Sequence, residues 1–255
     1  MSAVGYNGLP SLTDLLVVDI ETVPQYPHYD DMPEVWKLLW HEKVGKVLGD
    51  SITPEQGYDM RGSILAEFGR IICISSGYFF QDTAGSWCVR IKSFYGDDEA
   101  EVLKSFLEAA EQYNKVQKNM QFAGHNIQEF DIPYICRRSV VNSLHLPTCL
   151  QLYGRKPWQV SMLDTMQFWK FGDFKNFISL NLLANVVNVP TSKIDINGSQ
   201  VQDVYYKEKD LPRIVKYCQR DIVTTANIIL RFKKLPLLQP EHISLTNDFA
   251  DTVEL

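Results

Sequence analysis

At 255 residues, 45% of them hydrophobic, the chain is long enough for one globular domain with a sizeable core, or one domain carrying an insertion. Its net charge of −6 argues against a protein that coats duplex nucleic acid with a broad basic surface, although it is compatible with a short strand held in one cleft. No apolar run of about 18 residues marks a membrane span, no basic-then-apolar start marks a secretory signal, and five cysteines without a CxxC pair suit a reducing cytoplasm rather than a disulfide framework or a zinc site.

Residues 1–11, with Gly5, Gly8 and Pro10, read as a loose leader. Leu15-Leu16-Val17-Val18 opens a buried strand: four aliphatic residues with no helical period. The strand runs on into Asp19-Ile20-Glu21, and because strand side chains alternate, both carboxylates leave on one face and Ile20 on the other. Side-by-side like charges at the end of a buried strand are tolerated where a divalent cation bridges them, or where the strand has simply reached solvent; the stretch alone leaves both open. Residues 24–68 read as an insertion between the first two strands, with a helix starting at Pro33 and carrying Val35, Trp36, Leu39 and Trp40 at helical spacing. Trp36 and Trp40 form either a face for a protein partner or packing for their own domain. Residues 71–75 and 88–94 read as strands joined by a turn near Ala84-Gly85. Residues 97–112 form an amphipathic helix with Val102, Leu103, Phe106 and Leu107 on one face and Asp97 or Asp98 as its cap. Residues 121–124 read as a short strand. Helices are predicted near 132–141, 162–171, 179–188, 199–207 and 211–234, and 236–255 reads as a loosely packed tail. Strands first and helices later predict a layered sheet of α/β or α+β type.

Two further acidic positions stand out. Asp131 precedes an apolar helix with Pro133 in its first turn, so it reads as a helix cap. A cap does not explain the polar His125-Asn126 at the strand end opposite. In the last helix Tyr217 and Asp221 are four residues apart and share a face with Ile214 and Ile228. A buried aspartate needs a partner: Arg213, Arg220 or another base, or a metal shared with the other acids.

In this order, Asp19-Ile20-Glu21, Asn126…Phe130-Asp131 and Tyr217-x-x-x-Asp221 resemble the three motifs of the DEDD superfamily of 3′–5′ exonucleases, and the tyrosine marks its tyrosine-type branch. Residues 126–135 resemble the second motif of the proofreading domain of family B DNA polymerases. The resemblance covers about residues 12–234. It implies a ribonuclease H-like α/β fold, a mixed sheet of about five strands flanked by helices, in a domain at 12–235 with the insertion at about 24–68 and the tail after it. It implies Asp19, Glu21, Asp131, Tyr217 and Asp221 as catalytic residues, and the four carboxylates among them as holders of two Mg²⁺ or Mn²⁺ ions, hard cations that take oxygen ligands. Thr22, Asn126 and Phe130 would then meet the terminal nucleotides, Ser179-Leu180 the single strand and Lys193 a phosphate. Read without the resemblance, Ser179 is a helix cap and Lys193 a solvated loop residue. Asp164 reads as a cap or a supporting group, off the metals.

The function implied is a stand-alone, metal-dependent 3′–5′ exonuclease acting on single-stranded nucleic acid, DNA favoured, in the cytoplasm. Local bases such as Lys193, Arg137 and Arg138 would meet phosphates. Tyr217 would orient the attacking water or also take its proton. Two other readings stay open: a nucleic-acid-binding module with a vestigial site, and a subunit docked to a replication or repair complex through 24–68.

Overall fold

The structure, a computed structural model, describes residues 8–45, 52–156, 160–173, 175–191 and 195–246. Strand β1 (Leu15–Pro24) is the axis of its sheet. It pairs antiparallel with β2 (Gly69–Gln81), which turns back antiparallel into β3 (Trp87–Tyr95). On its other edge β1 pairs in parallel with β4 (Gln121–Gly124), and β4 with β5 (Met162–Asp164). Strand β6 (Ile243–Leu245) joins β3 in parallel, so the six-stranded order is β5-β4-β1-β2-β3-β6.

The alternation of β1 divides the core. Leu16, Val18 and Ile20 pack with Val102, Leu103 and Phe106 of α3 (Glu99–Val116) and with Ile132 and Ile135 of α4 (Asp131–Val141). Leu15 and Val17 pack on the other face with Ile222, Val223, Ala226 and Ile229 of α8 (Leu211–Phe232). Each fully buried aliphatic side chain contributes about 1.5–3 kcal/mol, so both faces hold β1 firmly. Gly77 lets α8 lie close on β2: a Cβ there would stand 2.7 Å from Ile222 Cγ2. The other α-helices are α1 (Glu34–Val44), α2 (Pro54–Arg61), α5 (Thr165–Lys170) and α6 (Leu180–Val186), together with α7 (Val201–Asp203), which packs against β1 and winds on as a π turn to Glu208. Among the described residues, no helix is long and apolar enough to cross a membrane.

Three elements depart from the sequence pattern. The predicted helix at 162–171 begins as β5, because Met162–Asp164 pair with Phe122–Gly124, and turns helical only at Thr165. Three residues carry no readable period. The stretch after Leu235 is not loose throughout: Leu238 is buried, its N–H bonds Asn227 Oδ1 at 2.8 Å, and β6 extends the sheet. Phe130 takes the N-cap position of α4, and Asp131 is the first helical residue rather than the cap. The expected cap of α3 is Asp98, whose carboxylate accepts from the N–H groups of Ala100 and Glu101.

The stretch 24–68 has a small core of its own around Trp40, Tyr58 and Phe68, where Trp40 stands edge-on to the other two rings at 5.2 and 5.0 Å. Trp40 therefore serves its own domain, while Trp36 is half-exposed and edge-on to Phe68. A buried ion pair ties this region to the sheet. Arg138 Nε and Nη2 donate to Glu99 Oε1 and Oε2 at 2.9 and 2.6 Å, Arg138 Nη1 to the Ala66 carbonyl at 3.0 Å, and Ile71 N–H to Glu99 Oε1 at 2.7 Å. Arg138, expected to meet phosphate, is buried and spent on Glu99. Removing one partner strands the other charge, so Arg138→Ala should lower stability by about 3–5 kcal/mol in urea denaturation, and Glu99→Gln/Arg138→Met should recover part of it. A loss below about 1 kcal/mol for the single variant would show that the pair is not needed.

Candidate active site

The site forms where β1 outruns its neighbour. Pairing of β1 with β4 ends at Val17↔Ala123, so the β4 edge of β1 is open beyond Val18. The N–H of Ile20 there is taken by Asp131 Oδ1 at 3.1 Å, which docks the first residue of α4 against the strand. On the face opposite Ile20, Asp19 and Glu21 meet α8, which brings Tyr217, Cys218 and Asp221 on successive turns. The Cys218 thiol donates to Asp19 Oδ2 at 3.2 Å and to the Asp19 carbonyl at 3.4 Å. One oxygen each of Asp19 and Glu21 and the Cys218 sulfur lie within 4.8 Å of one another, a spacing at which one cation can touch all three. Glu21, Asp131 and Asp221 are 7%, 4% and 6% exposed; Asp19 is half-buried.

The electrostatics show that these groups feel one another. Burial, then the charges of Asp221 and Asp131, push Asp19 well above the usual carboxylate range, while the Cys218 hydrogen bond pulls it back. Burial, then Asp19 and Asp221, do the same to Glu21. Burial pushes Asp131 up to about 7 against its hydrogen bonds from backbone N–H groups. Burial, followed by Asp221, Glu21 and Asp19, raises the Tyr217 phenol far above its ordinary value. Arg213, a candidate partner for Asp221, is committed to Asp195 and Glu208, at 2.6 Å each. The largest influences on Asp19, Glu21 and Asp131 are burial, neighbouring acids and hydrogen bonds, with no lysine or arginine among them.

The loop behind Asp131 is held by Asp164. Its carboxylate accepts from Asn126 and Gln128 N–H at 3.0 and 3.2 Å while capping α5 through Met166 and Gln167 N–H. Asp164 thus supports the site from a cap position. His125 Nε2 donates to the Ile178 carbonyl at 2.9 Å, and Nδ1 meets the Thr165 hydroxyl. Asn126 sits at φ 61, a left-handed conformation that asparagine tolerates, and its buried Oδ1 has no hydrogen-bond partner. Phe130 is half-buried against Tyr134, and the Thr22 hydroxyl donates to the Ser63 carbonyl at 2.9 Å. Ser179 caps α6 by accepting from Leu182 N–H, and Leu180 is half-buried on the core beside it. Lys193 lies outside the described residues. Sequence reasoning missed Cys218 and the Glu99–Arg138 pair. Cys218 carried one signal, its place three residues before Asp221 on the same helix face.

A mixed sheet flanked by helices, with acids gathered at the open edge of its central strand, is the polymerase-exonuclease, ribonuclease H-like class of α/β domain. Within that class the chain belongs to the family described as predicted 3′–5′ exonucleases related to the exonuclease domain of PolB, whose model matches residues 65–241. The match takes in Asp131, Tyr217 and Asp221 and leaves Asp19 and Glu21 outside it. Among solved structures the chain is similar to the family B DNA polymerase of the hyperthermophilic archaeon Pyrobaculum calidifontis, with a TM-score of 0.52 and 15% identity over 88% of this chain. It spans 25% of that polymerase chain, and the likeness at this identity concerns the fold. No curated protein matches.

The donor set fits a hard divalent cation: carboxylates crowded together, with no basic side chain among the largest influences on Asp19, Glu21 or Asp131. A pH prediction follows. An unfolded aspartate titrates near about 3.9, whereas Asp131 in the fold titrates at about 7, so between these values the folded state holds more protons. Metal-free protein should therefore lose stability as pH rises from about 4 through about 7, opposite to the behaviour of a salt-bridged carboxylate. Urea denaturation in EDTA across that range measures it, and Asp131→Asn should flatten the slope. Rising stability over the same window would contradict the repulsion.

Proposed function

We propose that the protein is a divalent-metal-dependent 3′–5′ exonuclease that hydrolyses single-stranded nucleic acid, DNA in preference, from its 3′ end to nucleoside monophosphates. The observation that carries the proposal is the convergence of Asp19, Glu21, Asp131 and Asp221 at the open edge of β1, where the charge of Asp221 bears on each of the other three. Asp19, Glu21 and Asp221 would hold one Mg²⁺ or Mn²⁺, and Asp19 with Asp131 a second. When bound, such ions activate water and offset the charge that develops on a phosphodiester. Family membership supports the reaction class, and the chain's own residues supply the rest.

Tyr217 is held in the protonated state by burial and by the surrounding acids. It is therefore a hydrogen-bond donor at neutral pH and orients the attacking water, leaving proton removal to another group. The free Oδ1 of Asn126 accepts a hydrogen bond from the terminal nucleotide, and the half-exposed ring of Phe130 offers its base a stacking face. The exonuclease unit is taken as 12–235, with 24–68 inserted. Ser179 and Leu180 would meet a longer single strand.

Digestion of a labelled single-stranded oligomer with Mn²⁺ tests this. Tyr217→Phe should lower kcat by about 10²–10⁴-fold with little change in metal affinity or folding, the size of effect typical of a positioned acid–base or orienting group. Asp221→Ala should cost at least as much, and Mn²⁺ should raise its melting temperature less than that of the wild type. Full activity in Tyr217→Phe would remove the tyrosine from the mechanism. A wild type that releases no mononucleotides with any divalent cation would sink the function.

A further inference from the structure

The loop between α2 and β2 is tied to both elements that present acids through the Ser63 carbonyl. The Ser63 carbonyl accepts from the Thr22 hydroxyl and from the Tyr134 hydroxyl, each at 2.9 Å, and so uses both of its lone pairs. Thr22 directly follows Glu21 on β1. Tyr134 stands one turn beyond Phe130-Asp131 on α4, with its ring 5.4 Å from that of Phe130. Gly69 makes the convergence sterically feasible: a Cβ there would lie 2.2 Å from the Tyr134 hydroxyl and 2.9 Å from the Ser63 carbonyl. The loop is also wound tightly, since Ile64 and Leu65 N–H both bond the Arg61 carbonyl, at 3.0 and 3.3 Å.

This pinned loop turns apolar surface outward. Ile64 is 53% exposed, Met60 on the last turn of α2 is 59% exposed, and Arg61 between them is exposed. Among the described residues Arg61 forms no ion pair. Two exposed apolar side chains within four residues of an exposed guanidinium that forms no ion pair among the described residues suit the two halves of a nucleotide, an apolar base face and an anionic phosphate. The acids nearby repel phosphate, and Arg138 is spent on Glu99, so a cation at this rim has a use.

On the reading that the site is an exonuclease, we propose that Arg61–Ile64 is a substrate platform: Ile64, with Met60 beside it, takes the face of a nucleobase near the 3′ end, and Arg61 takes its phosphate. The pinning by Thr22 and Tyr134 sets the platform's height against the scissile bond.

The test is binding of a single-stranded DNA oligomer carrying 2-aminopurine at its 3′ end, with Ca²⁺ in place of Mg²⁺. Ile64→Ala should weaken binding by about 3–10-fold and relieve part of the 2-aminopurine quenching, and Ile64→Phe should tighten it. Arg61→Ala should weaken binding to a similar degree and reduce the salt slope by about one. Both side chains are exposed, so melting temperatures should not move. Wild-type affinity, quenching and salt slope in both alanine variants, with oligomers still cut, would overturn the platform alone. A wild type that neither binds nor cuts single strands would overturn the exonuclease reading and the platform with it.

Discussion

Repulsion among carboxylates where water is scarce is the constraint around which this fold is arranged. Two unit charges 4 Å apart repel by about 4 kcal/mol at the effective dielectric of a protein surface. Asp19, Glu21, Asp131 and Asp221 share one such neighbourhood, and each of the first three is shifted upward by burial and by the acids around it. A flexible strand would relieve the strain by splaying. β1 cannot, because Leu16, Val18 and Ile20 are locked under α3 and α4, while Leu15 and Val17 are locked under α8. Rigidity on both faces keeps the carboxylates together despite the repulsion.

The geometry of the sheet edge decides where the acids gather. β4 is four residues long and stops at Gly124, which leaves the Ile20 N–H without a ladder partner. A buried N–H must be satisfied, and Asp131 satisfies it. That one hydrogen bond brings the helical acid to the strand acids. Asp164 then fixes the intervening loop by accepting from four backbone N–H groups on two elements, so the second motif is positioned by a carboxylate in a strand that the sequence pattern hid. Cys218 is the neutral counterpart among the charges, a thiol donor to Asp19 that offsets a little of the repulsion.

The stretch 24–68 is more than a spacer. Its aromatic core around Trp40 is separate from the two main cores, yet Ala66 is gripped by Arg138 and Ser63 by Thr22 and Tyr134. It is therefore coupled mechanically to β1 and α4, the two elements that present acids.

The sequence by itself determined what depends on neighbours along the chain. The alternation of β1 told which way Asp19, Ile20 and Glu21 face, the period of α8 put Tyr217 and Asp221 on one side, and residue type showed a cap at Ser179 and narrowed that of α3 to Asp97 or Asp98. The resemblance of three ordered motifs pointed to the family that residues 65–241 confirm. What only the tertiary structure decided were contacts between distant segments: Asp131 reaching Ile20 N–H rather than capping its own helix, Arg138 turning inward to Glu99, β5 and β6 completing the sheet with three residues each, and the Ser63 carbonyl taken by two hydroxyls. A three-residue strand has no period, and a charged side chain carries no sign of whether it will face water or a partner. Those choices are made when the whole core closes and each buried polar group must find a mate within reach.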